Sequence, residues 1–538
     1  MFAMKCKFAF GTSNFKEIIE NNNFFVDKSL FIKKVIKDTK VALITRPRRF
    51  GKSLNFSMLR YFFDINEDSS SLFKGLNISK EKDCLEHMNK YPVVELDFKA
   101  ILGNNWHDIY NGIKRRIGTV YKKHQNSVWD ILSTVEKKEY LQIIDGKEDF
   151  SGLSESILNL TRYLEAKYKE KVVVLIDEYD AVMAHMYNKP KFDNCMSIFR
   201  GIYENALKGN TSIHQALITG IMRFDKEGLF SGLNNVAVYG PTHERYGKYF
   251  GFTEEEIKPI IIDSGLEYEK AKEYYNGYNF GGSLVYNPWS VLNYIHDRKV
   301  DYFWRNTTCS TLIREIIKKG GPEVKYALER MLNGESVEIE LEENVNLREL
   351  DEKDIYSLLF QSGYLTYEEI NKVRRYKLPN KEVSNFISSL VKNMEQEMKI
   401  SSTIERLFLT KDWKVLEEVL QSSVMEIMSY FDVPKKKETE AMYHMLLLGL
   451  LAKFHSYSIR SNIETGLGRA DILMKRKDKK EYIVIELKAG NRFSKLHNVV
   501  KEALDQIIDK KYGQDLDGEI IKMGIGFVGK NLKLEVIQ

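Results

Sequence analysis

Four short runs of apolar, largely β-branched residues punctuate the first 240 positions: VALIT (41–45), VVELDF (93–98), VVVLID (172–177) and IHQALITG (213–220). Runs without polar alternation predict strands covered on both faces, hence a parallel sheet in an α/β domain. Ahead of the third run, Leu153, Ile157, Leu160 and Leu164 recur at helical spacing and predict a crossover helix. The pattern changes near Thr253, where TEEE reads as a capping box with an acidic first turn, and helical periodicity dominates to about residue 410. Inside that stretch YYNGYNFGGSLVYNPWS (274–290), dense in Gly, Asn and aromatic residues, predicts a loop with a packed aromatic anchor. Past residue 411 the order is helix (ETEAMYHMLLLGLLAKF), strands YSIRSNIE, RADILMK and EYIVIELKA, helix (KEALDQIIDKKY) and strand KMGIGFV. The expected organisation is an α/β parallel-sheet domain over 1–240, a mainly helical middle domain over 241–410 and a C-terminal α/β domain over 411–538.

Composition narrows this little. Hydrophobic residues make up 43% and charged residues 29% of 538, ordinary values for a folded globular chain. The net charge of +5 neither demands nor excludes nucleic acid, so any basic surface has to be local. Cys6, Cys84, Cys195 and Cys309 are too scattered for a zinc cluster or disulfide framework and fit a reducing compartment. Lys5 and Lys7 interrupt any signal-peptide core, and the longest apolar run, Met445 to Ala452, is far too short for a membrane span. The expectation is a cytoplasmic chain with no membrane partner.

Chemistry first appears in RPRRFGKS (46–53). Its ending is that of a Walker A loop, GxxxxGK[ST], but Arg46 stands where the first glycine belongs and Pro47 removes one amide donor. The context is nevertheless correct, because VALIT precedes the loop and a helix periodic at Leu54, Met58, Tyr61 and Phe62 follows it. A helix N-terminus there would face an anion. Gly51 permits close backbone approach, Lys52 would reach the β and γ phosphates of ATP, and the Ser53 hydroxyl would meet Mg²⁺. VVVLIDEYD then ends a buried strand in Asp177, for the magnesium shell, and Glu178, to polarise the attacking water. Thr219 closes the next strand, where a sensor of the γ phosphate would sit.

The segments FFVDKSLFIKKVI, ITRPRRFGKSLNFSMLRYFF, VVVLIDEYD, TGIMRFDKEGLFSGLNN and VYNPWSVLNY together resemble the bacterial AAA-ATPase-like family that carries a C-terminal PD-(D/E)XK nuclease-superfamily domain. The resemblance covers nearly the whole chain, and its Walker A loop is similar to RPRRFGKS, Arg46 included. It implies an AAA-type P-loop domain over 1–240 that binds ATP. Arg48, Arg49 and Arg223 are candidates for neutralising phosphate charge, since a guanidinium grips phosphate oxygens bidentately. A homo-oligomer would let a neighbouring subunit supply a further arginine, which nothing in this chain identifies.

In EYIVIELKA, alternation places Tyr482, Val484, Glu486 and Lys488 on one face and Ile483, Ile485 and Leu487 on the other. A hairpin folded about Lys477 and Asp478 would set Asp471 opposite Val484 and diagonal to Glu486. Two carboxylates and a lysine then converge. Such a metal-dependent phosphodiesterase would use Asp471 and Glu486 as hard oxygen ligands for Mg²⁺ or Mn²⁺, and Lys488 to orient or help deprotonate water. The pattern resembles the D-x14-ExK of the PD-(D/E)XK superfamily and implies a restriction-endonuclease-like domain acting on DNA. Glu440, on one helical face with His444, is the third ligand candidate, with Glu464 behind it. Gln506 and Tyr512, placed on the following helix, are six apart where a QxxxY motif would have four. Gln506 is a candidate for DNA positioning and Tyr512 for the core, while Lys501, Lys510 and Lys511 read as a solvated helix face. The alternative is a nucleotide-controlled nucleic-acid- or protein-binding module with a silent nuclease fold. A third reading, ATP as a mere structural ligand, conflicts with Glu178.

Overall fold

The computed structural model describes residues 7–427 and 439–537, apart from 100, 104, 224–235, 305–309, 346–349, 453 and 492. Cys6, Cys309, most of the segment after Arg223 and the start of the ETEAMYH helix therefore lie outside the described residues. Two compact units form, Met1–Leu390 and Val391–Gln538. Among the described residues no helix is long and apolar enough to cross a membrane.

The first unit is built on five parallel strands, β1 (Val41–Thr45), β2 (Val93–Asp97), β3 (Val172–Asp177), β4 (Ile213–Gly220) and β5 (Ala237–Tyr239), in the order β2-β3-β4-β1-β5. β1 and β3 are buried at every position, which is why their apolar runs carry no alternation. The expected crossover helix forms over Phe150–Tyr168 and buries Leu153, Ile157, Leu160 and Leu164. Four of the strands match the apolar runs. β5 is three half-buried residues at the sheet edge, too short and mixed to stand out in the sequence. Because β3, β4 and β1 are neighbours, their C-terminal ends place Asp177, Thr219 and the loop after Thr45 side by side.

After Gly240, helices dominate, and the Glu256 carboxylate accepts the Thr253 amide at 2.8 Å as the capping box requires. The 274–290 stretch differs from the expected loop. It forms a hairpin of β7 (Tyr278–Phe280) and β8 (Ser283–Tyr286), turned by Gly281 and Gly282 at φ 55° and 86°, with β6 (Phe252–Thr253) on the far side of β8. Asn287 then caps the helix Pro288–Asp297. A second hairpin, β9 (Thr366–Ile370) and β10 (Val373–Lys377), completes this unit.

The first hairpin packs under the Walker loop. Phe50 lies edge-on to Tyr278 and Phe280, with centroids 4.8 and 5.1 Å away. The Arg46 guanidinium sits over the Phe250 and Phe280 rings at 5.3 and 5.1 Å.

The second unit carries the sheet β11 (Tyr457–Thr465), β12 (Gly468–Arg476), β13 (Glu481–Gly490), β14 (Glu519–Val528) and β15 (Asn531–Ile537) in sequential order. Only β13 and β14 are parallel, and the helix Leu496–Asp509 makes the crossover between them. Ile483, Ile485 and Leu487 enter one core with Phe408, Leu420 and Leu447, whereas Val484 enters a second with Leu504, Ile507 and Tyr512. The expected two-faced alternation of β13 is therefore present, with helices on both sides. At Gly526 a Cβ would come within 2.7 Å of the Val500 amide, so the crossover helix rides directly on β14.

Phe50→Ala should cost about 3–5 kcal/mol, as removal of a fully packed aromatic does. Urea unfolding followed by tyrosine and tryptophan fluorescence checks this, and a loss below about 1 kcal/mol would contradict the packing described.

Candidate functional sites

The loop 46–53 takes the shape its glycine allows. Gly51 adopts φ 84°, the left-handed region, and the helix Lys52–Phe63 starts immediately after it. Lys52 is buried, and its ammonium donates to the Arg46 and Pro47 carbonyls at 3.0 and 2.9 Å. Burial lowers the Lys52 pKa, opposed by the charges of Glu178 and Asp177. At the next residue, the Ser53 hydroxyl donates to Asp177 Oδ2 at 2.6 Å. Thr219 Oγ1 donates to Asp177 Oδ1, which also accepts the Glu178 amide at 3.0 Å. Glu178 itself sits at φ 50°, a backbone conformation non-glycine residues rarely adopt and one that recurs at functional sites.

The arginines divide. Arg46 is fully buried, donates from Nη1 to the Thr45 and Tyr239 carbonyls, and leaves Nε and Nη2 without acceptors. Burial alone brings its pKa down to about 9. This residue braces the loop from behind in place of the missing glycine. Arg49, at φ 68°, lies 4.1 Å over the Trp289 ring, and Arg223 pairs with Glu343 at 2.8 Å. Arg48 is half-buried and makes no hydrogen bond or ion pair among the described residues.

In the second unit the β12–β13 hairpin turns one residue later than the expected Lys477–Asp478 centre. Ile472 pairs with Ile485, which places Asp471 across from Glu486 and not across from Val484. Beyond that pair the ladder gives way to side chains: Asp471 Oδ2 accepts the Leu487 amide at 2.8 Å, and the Asp471 amide points at Glu486 Oε2 at 3.4 Å. Glu486 is 2% exposed. Burial and then the Asp471 charge push its pKa up to about 7, against the pull of Lys488. Lys488 lies 3.3 Å from Glu486 and 3.5 Å from Glu440. Burial by itself would lower the ammonium, but the Glu440 and Glu486 carboxylates outweigh it and hold its pKa up.

Gln506 donates to Glu486 Oε1 and reaches the Tyr512 hydroxyl at 3.3 Å; that hydroxyl donates to the Arg469 carbonyl at 2.7 Å. Tyr512 is therefore both core and polar tie. It stands beyond the helix end at Asp509, and a left-handed Lys511 (φ 52°) turns it back, which is how a spacing of six brings it to Gln506. His444 contacts Ser461, and Glu464 is exposed opposite Arg469 on β11; neither joins the acidic pair. Lys501 and Lys510 share a groove of about 600 Å³ with Glu502, Asp505 and Asp509, so that helix face is mixed in sign.

Among the described residues no three His, Cys, Asp or Glu side chains are grouped to hold a metal. Glu440, the third-ligand candidate, lies 3.5 Å from the Lys488 ammonium, which also contacts Glu486 at 3.3 Å. Asp471 and Glu486 remain as two hard oxygen donors, and the raised pKa of the buried Glu486 reflects an unfavourable charge beside Asp471 that a divalent cation would relieve. Ser53 and Asp177 are a comparable hydroxyl–carboxylate pair at the first site.

A parallel sheet carrying a GKS loop and a strand-end acid pair defines a P-loop nucleotide-binding domain. A mixed sheet carrying D-x14-ExK defines a nuclease-superfamily domain. Comparison with known families agrees: residues 9–230 match the predicted AAA-ATPase family model, and residues 438–536 match that of the PD-(D/E)XK nuclease superfamily. Residues 9–230 thus form an AAA-ATPase-like domain and residues 438–536 a domain of the PD-(D/E)XK nuclease superfamily. The chain is 27% identical, over 386 residues, to an uncharacterized protein in the vnfD 5′ region of Azotobacter chroococcum mcd 1, covering 70% of this chain and 68% of that protein. Among solved structures it aligns with the Aeropyrum pernix ORC2 protein at 9% identity and a TM-score of 0.24, over 72% of this chain and 96% of that one.

The raised Glu486 pKa has a signed consequence for stability. The folded chain holds a proton there between the ordinary 4.5 and about 7, so ionisation costs stability as pH rises through that window. Glu486→Gln should therefore raise the melting temperature at pH 8 and leave it nearly unchanged at pH 5. Equal shifts at both pH values would contradict the assignment.

Proposed function

We propose that this protein is an ATP-binding and ATP-hydrolysing enzyme coupled to a metal-dependent DNA nuclease. The reading assigns ATP·Mg²⁺ to a domain over 1–240, a lid or transmitter role to 241–410, and phosphodiester cleavage to 411–538. Gly51, Lys52 and Ser53 cradle the phosphates, Ser53 and Asp177 hold Mg²⁺, Thr219 senses the γ phosphate, and Glu178 polarises the attacking water. Of the three arginines, Arg48 is the one left to meet phosphate, since Arg49 and Arg223 have partners in the ring of Trp289 and the carboxylate of Glu343.

The observation that carries the nuclease half is the buried Glu486 carboxylate, across from Asp471 and 3.3 Å from the Lys488 ammonium. Asp471 and Glu486 would hold Mg²⁺ or Mn²⁺, which when bound supplies charge stabilisation at the phosphoryl group. Lys488 orients the scissile phosphate, and Gln506 fixes the Glu486 carboxylate by donating to Oε1, the oxygen that Lys488 also contacts. The chain is read as cytoplasmic, with DNA as partner and a homo-oligomer as the arrangement that would supply a further arginine.

One observation favours a second reading, an ATP-controlled binding module with a silent nuclease fold. Lys488 is already paired with both Glu486 and Glu440, as in a structural ion cluster. Divalent-metal binding separates the two, because the silent module has no use for it.

Two variants test the enzyme. Glu178→Gln should abolish ATP turnover while ATP binding persists, and Lys488→Ala should slow Mg²⁺- or Mn²⁺-dependent cleavage of linear or circular DNA by about 10²–10³-fold. Absence of cleavage by the unmodified protein on linear, circular and single-stranded DNA, with no Mn²⁺ binding by calorimetry, would favour the silent module.

A further inference from the structure

The residue after the strand-end acids and tyrosine, Asp180, is a carboxylate that none of the chemistry above uses. It is 1% exposed, beneath the nucleotide site, and its Oδ2 accepts the amides of Ile221 and Met222 at 2.9 and 2.7 Å. Its neighbour Tyr179 works on the same segment: the Tyr179 amide donates to the Thr219 carbonyl at 3.0 Å and the phenol to the Met222 carbonyl at 2.6 Å. Four hydrogen bonds from two adjacent residues thus bracket positions 219–222. The fit is close, since a Cβ at Gly220 would lie 2.5 Å from the Tyr179 ring and 2.6 Å from Asp180 Oδ1.

What this bracket holds is the stretch between the two ends of the nucleotide machinery. At its start Thr219 Oγ1 bonds Asp177. At its end Arg223 is stitched to the following segment: its amide donates to Gln361 at 2.6 Å, its carbonyl accepts the Val345 amide at 2.9 Å, and its guanidinium pairs with Glu343. A buried carboxylate accepting two backbone amides fixes backbone direction more strictly than a neutral acceptor does, because charge-assisted bonds are shorter and stronger. Burial lifts the Asp180 pKa to about 6, against the Met222 amide.

We propose that Asp180 is a positioning residue for ATP hydrolysis, holding residues 219–222 so that Thr219 faces Asp177 and the γ phosphate while Arg223 stays engaged with Glu343. The proposal rests on the ATPase reading. It predicts an effect on turnover and little on affinity, since Asp180 touches neither the phosphate loop's amides nor the Ser53 hydroxyl.

The test is steady-state ATP turnover and ATP dissociation constant, measured on the full chain for wild type, Asp180→Ala, Asp180→Asn and Tyr179→Phe. Asp180→Ala should lower kcat at least tenfold with the dissociation constant within about threefold of wild type. Asp180→Asn should recover most of kcat, because its amide oxygen can accept both amides. If the alanine variant does not fold, Tyr179→Phe carries the test, with a smaller loss of kcat at unchanged affinity. A wild-type kcat in Asp180→Ala, or asparagine as impaired as alanine with affinity lost in parallel, would overturn the proposal and leave the ATPase reading standing. Wild-type protein that turns over no ATP would overturn both.

Discussion

The Asp177 carboxylate is the contact on which the nucleotide half of this molecule depends. It is 8% exposed at the end of β3, and it accepts from Ser53 on one oxygen and from Thr219 and the Glu178 amide on the other. A carboxylate with so little water must find donors in the protein, and here they come from the ends of three different segments. Strand order follows from the same need. With β3, β4 and β1 adjacent, the phosphate loop, the acids and Thr219 reach one edge, the usual position for ligands in an open parallel sheet.

The missing loop glycine has a physical account. A side chain at position 46 is tolerated because it points away from the loop's concave side, into a pocket of Phe250, Phe280 and two carbonyls. Burying a guanidinium without a carboxylate is unfavourable, and the aromatic faces and carbonyl dipoles offset part of that. The aromatic hairpin at 278–286 is thus part of the nucleotide site's support. In the C-terminal unit Glu486 stands in a comparable position: buried, next to another acid, and held by Lys488 and Gln506.

Much of this was legible in the sequence, and the failures have definite causes. β1 to β4 stand out because burial on both faces leaves unbroken apolar runs, and the two faces of β13 follow from alternation. The 274–290 hairpin was read as a loop because glycine and asparagine mask an aromatic alternation of only three and four residues, although Gly281-Gly282 between them is a hairpin turn signal. In β12 and β13 a turn displaced by one residue moves every pairing by two, so Asp471 faces Glu486 directly. The Gln506–Tyr512 tie was obscured because sequence spacing assumes a continuous helix, whereas the chain reverses at Lys511. The partners of Arg49 and Arg223, the Trp289 ring and Glu343, lie more than a hundred positions away and leave no local trace in the sequence.

The central claim is that nucleotide and nuclease chemistry belong to one working enzyme. It is tested most directly by DNA cleavage rates of wild type and Lys52→Ala in Mg²⁺, each with and without ATP. The account predicts that ATP changes the wild-type rate by about fivefold or more, the lower end of ordinary coupling between sites, and leaves Lys52→Ala unresponsive. Wild-type cleavage that is identical with and without ATP, or a Lys52→Ala protein that responds as the wild type does, would contradict it.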